Sequence, residues 1–145
     1  DWTPNAEGAG IVTSFSYWAL DGAISGDFTT EPVSLIEVES YGTYGGPTTT
    51  GTTTLSSFEP YDTCALCITV YEDCNSSTGC SRLYMADQAT LELTTIDMSV
   101  GGTIEGTLTG MYLVEYDDSS DSLVTDGVSM CVDIWSFSQT MADWS

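Results

Sequence analysis

Between Tyr61 and Tyr84 the chain reads YDTCALCITVYEDCNSSTGCSRLY, a stretch holding four of the five cysteines and the one basic residue, Arg82. Leu66, Ile68 and Val70 fall on one side of an extended segment and Cys67, Thr69 and Tyr71 on the other, because successive strand side chains point to opposite faces. A loop from Cys74 to Cys80 and a returning arm, Leu83 to Ala86, complete a hairpin. No segment keeps a helical period over ten residues, and the nearest candidate, Ser81 to Gln88, is better explained as that returning arm. The chain must therefore build its core from strands.

The remaining segments agree. Ile11 to Leu20 alternates apolar and hydroxyl residues, with Phe15 and Tyr17 on one side and Trp18 and Leu20 on the other. Val33 to Tyr41 sets Ile36 and Val38 against Glu37 and Glu39, an acidic face expected in water. Gly45-Gly46-Pro47 turns the chain into a Thr-rich run, and Thr49 to Leu55 reads as an edge or surface strand. In TIEGTLTGMYLVEYDD, Gly106 and Gly110 interrupt a long alternation, which predicts a bulge or a strand passing from one sheet to another. The last long strand runs from Val128 to about Ser138. Eight or nine strands separated by turn signals predict an all-β fold, an antiparallel β-sandwich of jelly-roll type, with a closed barrel as the other solution. Residues 1–10, with Pro4, Gly8 and Gly10, read as an extended arm preceding a single domain over 11–145.

Charge excludes whole classes of partner. Twenty-two acidic residues face a single Arg, with no Lys and no His, for a formal charge of -21. Nucleic acid and anionic membranes require cations to meet phosphate, so neither is expected. Repulsion among the carboxylates predicts a fold favoured by salt, divalent cations or partial protonation. Four Trp, eight Tyr and four Phe within 41% hydrophobic residues nevertheless predict a folded chain. No apolar run reaches the roughly 18 residues of a membrane helix.

Five cysteines point to an oxidising compartment, and a chain starting at Asp1 without a leader reads as a mature secreted protein. Cys74 and Cys80 are expected to close the short loop across the hairpin. Cys131 then requires Cys64 or Cys67, and Cys64, at the strand mouth, is the expected partner. Cys67 is left as the odd thiol, buried or joined to another copy. A zinc site is disfavoured because a separation of three would send Cys64 and Cys67 to opposite strand faces.

Catalysis has little to start from. There is no Ser-His-Asp set, no Cys-His pair and no phosphate-cradling glycine loop, so no enzyme is expected. Asp117, Asp118 and Asp121 share one loop and are candidate Ca2+ ligands, without EF-hand register; no other cofactor is expected. Asn75 begins an N-x-S sequon, and Thr48, Thr49, Thr50, Thr52, Thr53 and Thr54 are candidate glycosylation sites. The four Trp and eight Tyr could form a sugar-stacking platform.

Two resemblances bear on function. The segments YDTCALC, YEDC, the loop to Cys80, LYMA, Gly106-Thr107-Leu108 and Val114-Glu115, spread over residues 48–138, resemble uncharacterised secreted β-rich proteins of myxobacteria and related environmental bacteria. The resemblance implies secretion and no activity. The N-terminal arm followed by an apolar strand is similar in architecture to strand-donating pilins. Together these predict an extracellular structural protein, the subunit of a fibre or surface layer. Ile11, Val12, Phe15, Tyr17, Trp18 and Leu20 would be its assembly strand, and loss of residues 1 to 10 would leave a folded monomer. The alternative is a secreted carbohydrate-binding module assisted by Ca2+.

Overall fold

The alternation read along the chain becomes nine strands in a computed structural model that describes residues 2–145. They are β1 (Glu7–Val12), β2 (Tyr17–Asp27), β3 (Thr30–Tyr41), β4 (Gly51–Leu55), β5 (Leu66–Cys74), β6 (Arg82–Ile96), β7 (Thr103–Asp117), β8 (Ser122–Leu123) and β9 (Ser129–Asp143). Two short 3-10 turns follow β1 and β3.

These strands do not form the expected sandwich. Seven of them, in the order β6-β5-β3-β2-β1-β9-β7, close on themselves through the β6–β7 pairing and make a barrel. β4 pairs with the far half of β6, and β8 with the end of β7. The correction follows from the long strands. β6, β7 and β9 each run for 15 residues and pair along most of that length. Gly110, at a φ of 58°, lies in a register shift between β6 and β7. The bulge bends β7 within one sheet instead of passing it to a second one, and such bends let a twisted sheet curl into closure. Gly106 works differently, since a Cβ there would collide with the Glu92 carbonyl and the Phe137 ring.

The apolar half of each alternation fills the interior. Ile11, Trp18, Leu20, Ile36, Val38, Val70, Ile104, Leu108, Leu113 and Trp135 have no accessible surface. Trp18 donates its indole N–H to the Pro47 carbonyl at 2.7 Å and Trp135 to Glu7 Oε1 at 2.8 Å, so each buried donor is satisfied. The interior is a packed core, and room for a ligand must be sought outside it.

The arm expected over residues 1–10 is not free across its described part, residues 2–10. Glu7 to Val12 pairs antiparallel with β2, and Ala9 to Ile11 lies parallel to Met141 to Asp143, sealing the barrel. Gly8 and Gly10 read as arm signals, yet Gly10 leaves space that the Trp144 ring occupies. Ile11, Trp18 and Leu20, expected in an assembly strand, belong to the core, and losing residues 1 to 10 would open the seam.

Candidate functional site

A second, smaller apolar cluster lies on the outer face of the barrel: Cys64, Cys67, Met85 and Tyr116, with Tyr41, Phe58, Tyr61 and Leu83 packed against it. It exists because the segment between β4 and β5 folds back over that face. Asp87 Oδ1 accepts the Phe58 N–H at 2.8 Å, and Asp121 Oδ1 accepts the Tyr61 N–H at 2.9 Å. A turn from Pro60 to Cys64 precedes β5, and Cys64 is bonded to Cys67 with their Cα atoms 5.6 Å apart.

That bond corrects the expected Cys64–Cys131 pairing and the odd thiol at Cys67. Strand alternation does not govern Cys64, which sits in the turn before the strand begins, so the two sulfurs meet on one face. Cys131 is the free cysteine, exposed on β9 opposite Tyr112. Cys74 and Cys80 are bonded across the loop, beside the cross-strand pair of Glu72 and Arg82.

Beneath the folded-back segment lies the acidic face of β3, which is not in water as expected. Glu39 is only 5% exposed. Its Oε1 accepts the hydroxyls of Tyr17 at 2.8 Å and Tyr41 at 2.9 Å, and its Oε2 accepts that of Tyr61 at 2.7 Å. Three donors around one buried carboxylate replace the water it has lost. Next to it a polar row crosses the sheet, Asp21 opposite Glu37 and Glu37 opposite Thr69. Burial, and then the Glu39 charge, push the Asp21 carboxyl up to about 6. Burial, and then repulsion from Glu39 and Asp21, push Glu37 up to about 7. Burial likewise raises the Tyr17, Tyr61 and Tyr71 phenols, with neighbouring carboxylate charge adding to it, so all three are neutral donors at physiological pH.

At the edge of this row a cavity of about 200 Å³ opens, walled by Tyr61, Tyr71, Tyr116 and Leu83. Asp62 and Asp118 also line it, both exposed, and Thr69 is the buried polar residue within its lining. Thr69 is 2% exposed, and its Oγ1 has no hydrogen-bond partner among the described residues. An orphaned buried hydroxyl costs about 1–3 kcal/mol, so its persistence asks for a reason. A larger concavity of about 420 Å³ adjoins, sharing Tyr71, Leu83, Tyr116 and Asp118 and extending to Arg82 and Glu115. Arg82 lies 3.9 Å from Glu72 and 3.8 Å from Glu115, which makes it the counter-charge of the hairpin.

The other expected site residues are dispersed. Asp117 accepts hydrogen bonds from Ser119 and Ser120 within its own turn, while Asp121 accepts from the Tyr61 N–H and the Tyr116 hydroxyl. Asp118 alone faces the cavity, and no group of three His, Cys, Asp or Glu among the described residues is arranged to hold a metal ion. Asn75 is half-buried and its side-chain Oδ1 accepts from the Ser77 N–H and hydroxyl. Thr49, Thr50, Thr52 and Thr54 are exposed, Thr48 and Thr53 partly so, along the β4 edge. Val12, Phe15 and Tyr17 stay near the surface, lining an apolar hollow of about 430 Å³ with Tyr41, Thr43 and Tyr44. Of the tryptophans, Trp18 and Trp135 are core, Trp2 stacks edge-on against Trp135 at 5.2 Å, and Trp144 is exposed.

Sequence reasoning missed Tyr61, Asp62, Thr69, Tyr71 and Tyr116 as a group. The available signal was Thr69, a polar residue in the outward half of the clearest core strand. Searched against protein-family models, curated proteins and solved structures, the chain finds no match, and nothing there links it to secreted myxobacterial proteins or to pilins.

Proposed function

We propose that this protein is a secreted carbohydrate-binding module whose site is the tyrosine-walled cavity and its extension towards Arg82. One observation carries the reading: the unpartnered Thr69 hydroxyl lies buried in the lining of a cavity whose walls are aromatic and whose rim is carboxylate. Sugar rings offer apolar faces to tyrosine and hydroxyl donors to carboxylates, and a satisfied Thr69 would offset the cost of leaving it unpaired. Two adjoining open concavities suit an oligosaccharide lying across the surface.

Thr69→Val tests this in two directions. Removing an orphaned hydroxyl without changing side-chain shape should stabilise the free fold by about 1 kcal/mol while weakening glycan binding. A glycan array followed by calorimetric titration, run in calcium and in chelator, supplies the ligand and decides whether Ca2+ assists. Absence of binding to any glycan under both conditions, or a destabilised T69V that binds normally, would sink the reading.

Self-association is a second reading favoured by a specific observation, since Phe15 is 65% and Tyr44 63% exposed beside the apolar hollow at the end of β1. On this reading a fibre or layer would form through that patch and not through a donated strand. Sedimentation of the wild type and of Phe15→Ser over a wide concentration range tests it; a wild-type monomer at the highest concentrations refutes it.

A further inference from the structure

The cavity also limits what chemistry its ligand can bring, and the inference drawn from this rests on the carbohydrate reading above. We propose that the glycan carries free amino groups, a de-N-acetylated amino-sugar oligomer whose ammonium sits among Tyr61, Tyr71 and Tyr116 and against the Asp62 and Asp118 carboxylates.

Hydrogen-bond supply is the first constraint on the ligand. The Tyr61 hydroxyl proton is given to Glu39 and the Tyr116 proton to Asp121, so neither phenol has a donor left for a ligand. Asp62 and Asp118 are acceptors, and their charges are near enough to act on the Tyr116 phenol. Thr69, nine-tenths buried and unpartnered, lies in the same cavity lining and can accept as well as donate. An N-acetyl group would bring a carbonyl acceptor into a site already rich in acceptors. An ammonium group brings three donors and a positive charge.

Charge and shape point the same way. Aromatic rings attract cations through their negative faces, and a cavity of about 200 Å³ lined by three tyrosines and two carboxylates is of a size and composition suited to one amine. The adjoining concavity adds Glu115 and Asp117, whereas its single cation, Arg82, is already placed beside Glu72 and Glu115. The formal charge of -21 would draw a cationic oligomer towards this surface from a distance and repel an acidic one.

The experiment compares β-1,4-linked tetramers of glucosamine and of N-acetylglucosamine by calorimetry and amide NMR in 150 mM salt. The amino tetramer is expected to bind at least tenfold more tightly and to shift the Thr69 and Tyr71 amides. Because a polyanion attracts any polycation, two charge-matched variants accompany it. Asp62→Asn with Asp118→Asn should lose at least tenfold in affinity, and Glu92→Gln with Asp133→Asn, both exposed elsewhere on the barrel, should lose less than twofold.

Equal loss in the two variants would assign the binding to general attraction and overturn the proposal. Equal affinity for the acetylated tetramer would overturn the amine and leave the carbohydrate reading standing. Spermine binding as tightly as the amino tetramer would overturn the sugar, and failure of both tetramers to bind would overturn the proposal outright.

Discussion

Replacing Glu37 by Gln isolates what a buried, repelled carboxyl does to this fold. An ordinary Glu ionises near 4.5 and Glu37 near 7, so the folded chain keeps a proton that the unfolded chain has released across that interval. Its folded value is raised, so the stability it contributes is complete below the unfolded value and is lost as pH rises through about 7. Between pH 5 and pH 8 this amounts to about 2–2.5 kcal/mol for Glu37 alone. Asp21, raised from 3.8 to about 6, acts in the same direction. Part of the repulsion is common to both, so the two together should cost about 3 kcal/mol over that range. Urea unfolding followed by tryptophan fluorescence measures it, and with a slope of about 1.5 kcal/mol per molar the wild-type midpoint should fall by about 2 M. Salt at 0.5 M shortens the screening length to about 4 Å and suppresses repulsion between exposed charges. Under these conditions Glu37→Gln should recover about 2 kcal/mol of the loss, whereas Glu92→Gln, an exposed neutralisation on β6, should recover less than about 0.5. A wild type equally stable at both pH values would refute the reasoning. So would equal recovery by the two variants, which would assign the loss to overall net charge.

Three further outcomes follow from the fold. A chain lacking residues 1 to 10 loses the pairing of Ala9 and Gly10 with Met141 and Ala142, leaving Ile11 alone on the seam, and should show no cooperative unfolding transition and no near-ultraviolet dichroism from its buried tryptophans; a cooperative transition would refute the seam. Gly106→Ala sets a methyl group against the Glu92 carbonyl and the Phe137 ring, and calorimetric or urea unfolding should register a loss of about 3 kcal/mol. Thiol titration of the folded protein should find one reactive group, Cys131, with non-reducing peptide mapping returning Cys64–Cys67 and Cys74–Cys80; a peptide joining Cys64 to Cys131 would contradict the structure.

What could be read from residues alone was the local part of the fold. The alternation of Leu66 to Tyr71, the exposed Thr strand and the bulge signal at Gly110 all correspond to elements of the fold, because side-chain period is a property of single strands. Closure is not. Alternation says which face of a strand is buried and is silent on whether the two ends of a sheet meet, so the same pattern served a sandwich equally well. Glu37 and Glu39 looked solvated because nothing in SSFEPYDTCA announces that it will fold back over them. Cys64 looked free to reach Cys131 because it lies at the strand mouth, whereas the turn from Pro60 brings it back to Cys67. The site inherits these gaps, for its walls come from the folded-back segment, β5, β6 and β7, and only the pairing of those elements brings Tyr61, Thr69 and Tyr116 together.

The seam between β1 and β9 also sets the order in which this protein can be completed. It joins the first of the described strands to the last of them, and it is the one parallel pairing among them. A chain emerging from the ribosome can form the β2–β3 and β6–β7 hairpins early, but its first strand has no second neighbour until Met141 to Asp143 have been made. Closure is thus deferred until those residues are available, and contacts of such long sequence separation form slowly. Until then the unpaired edge of β1 stays open to any other strand that reaches it, including the β9 of a second copy.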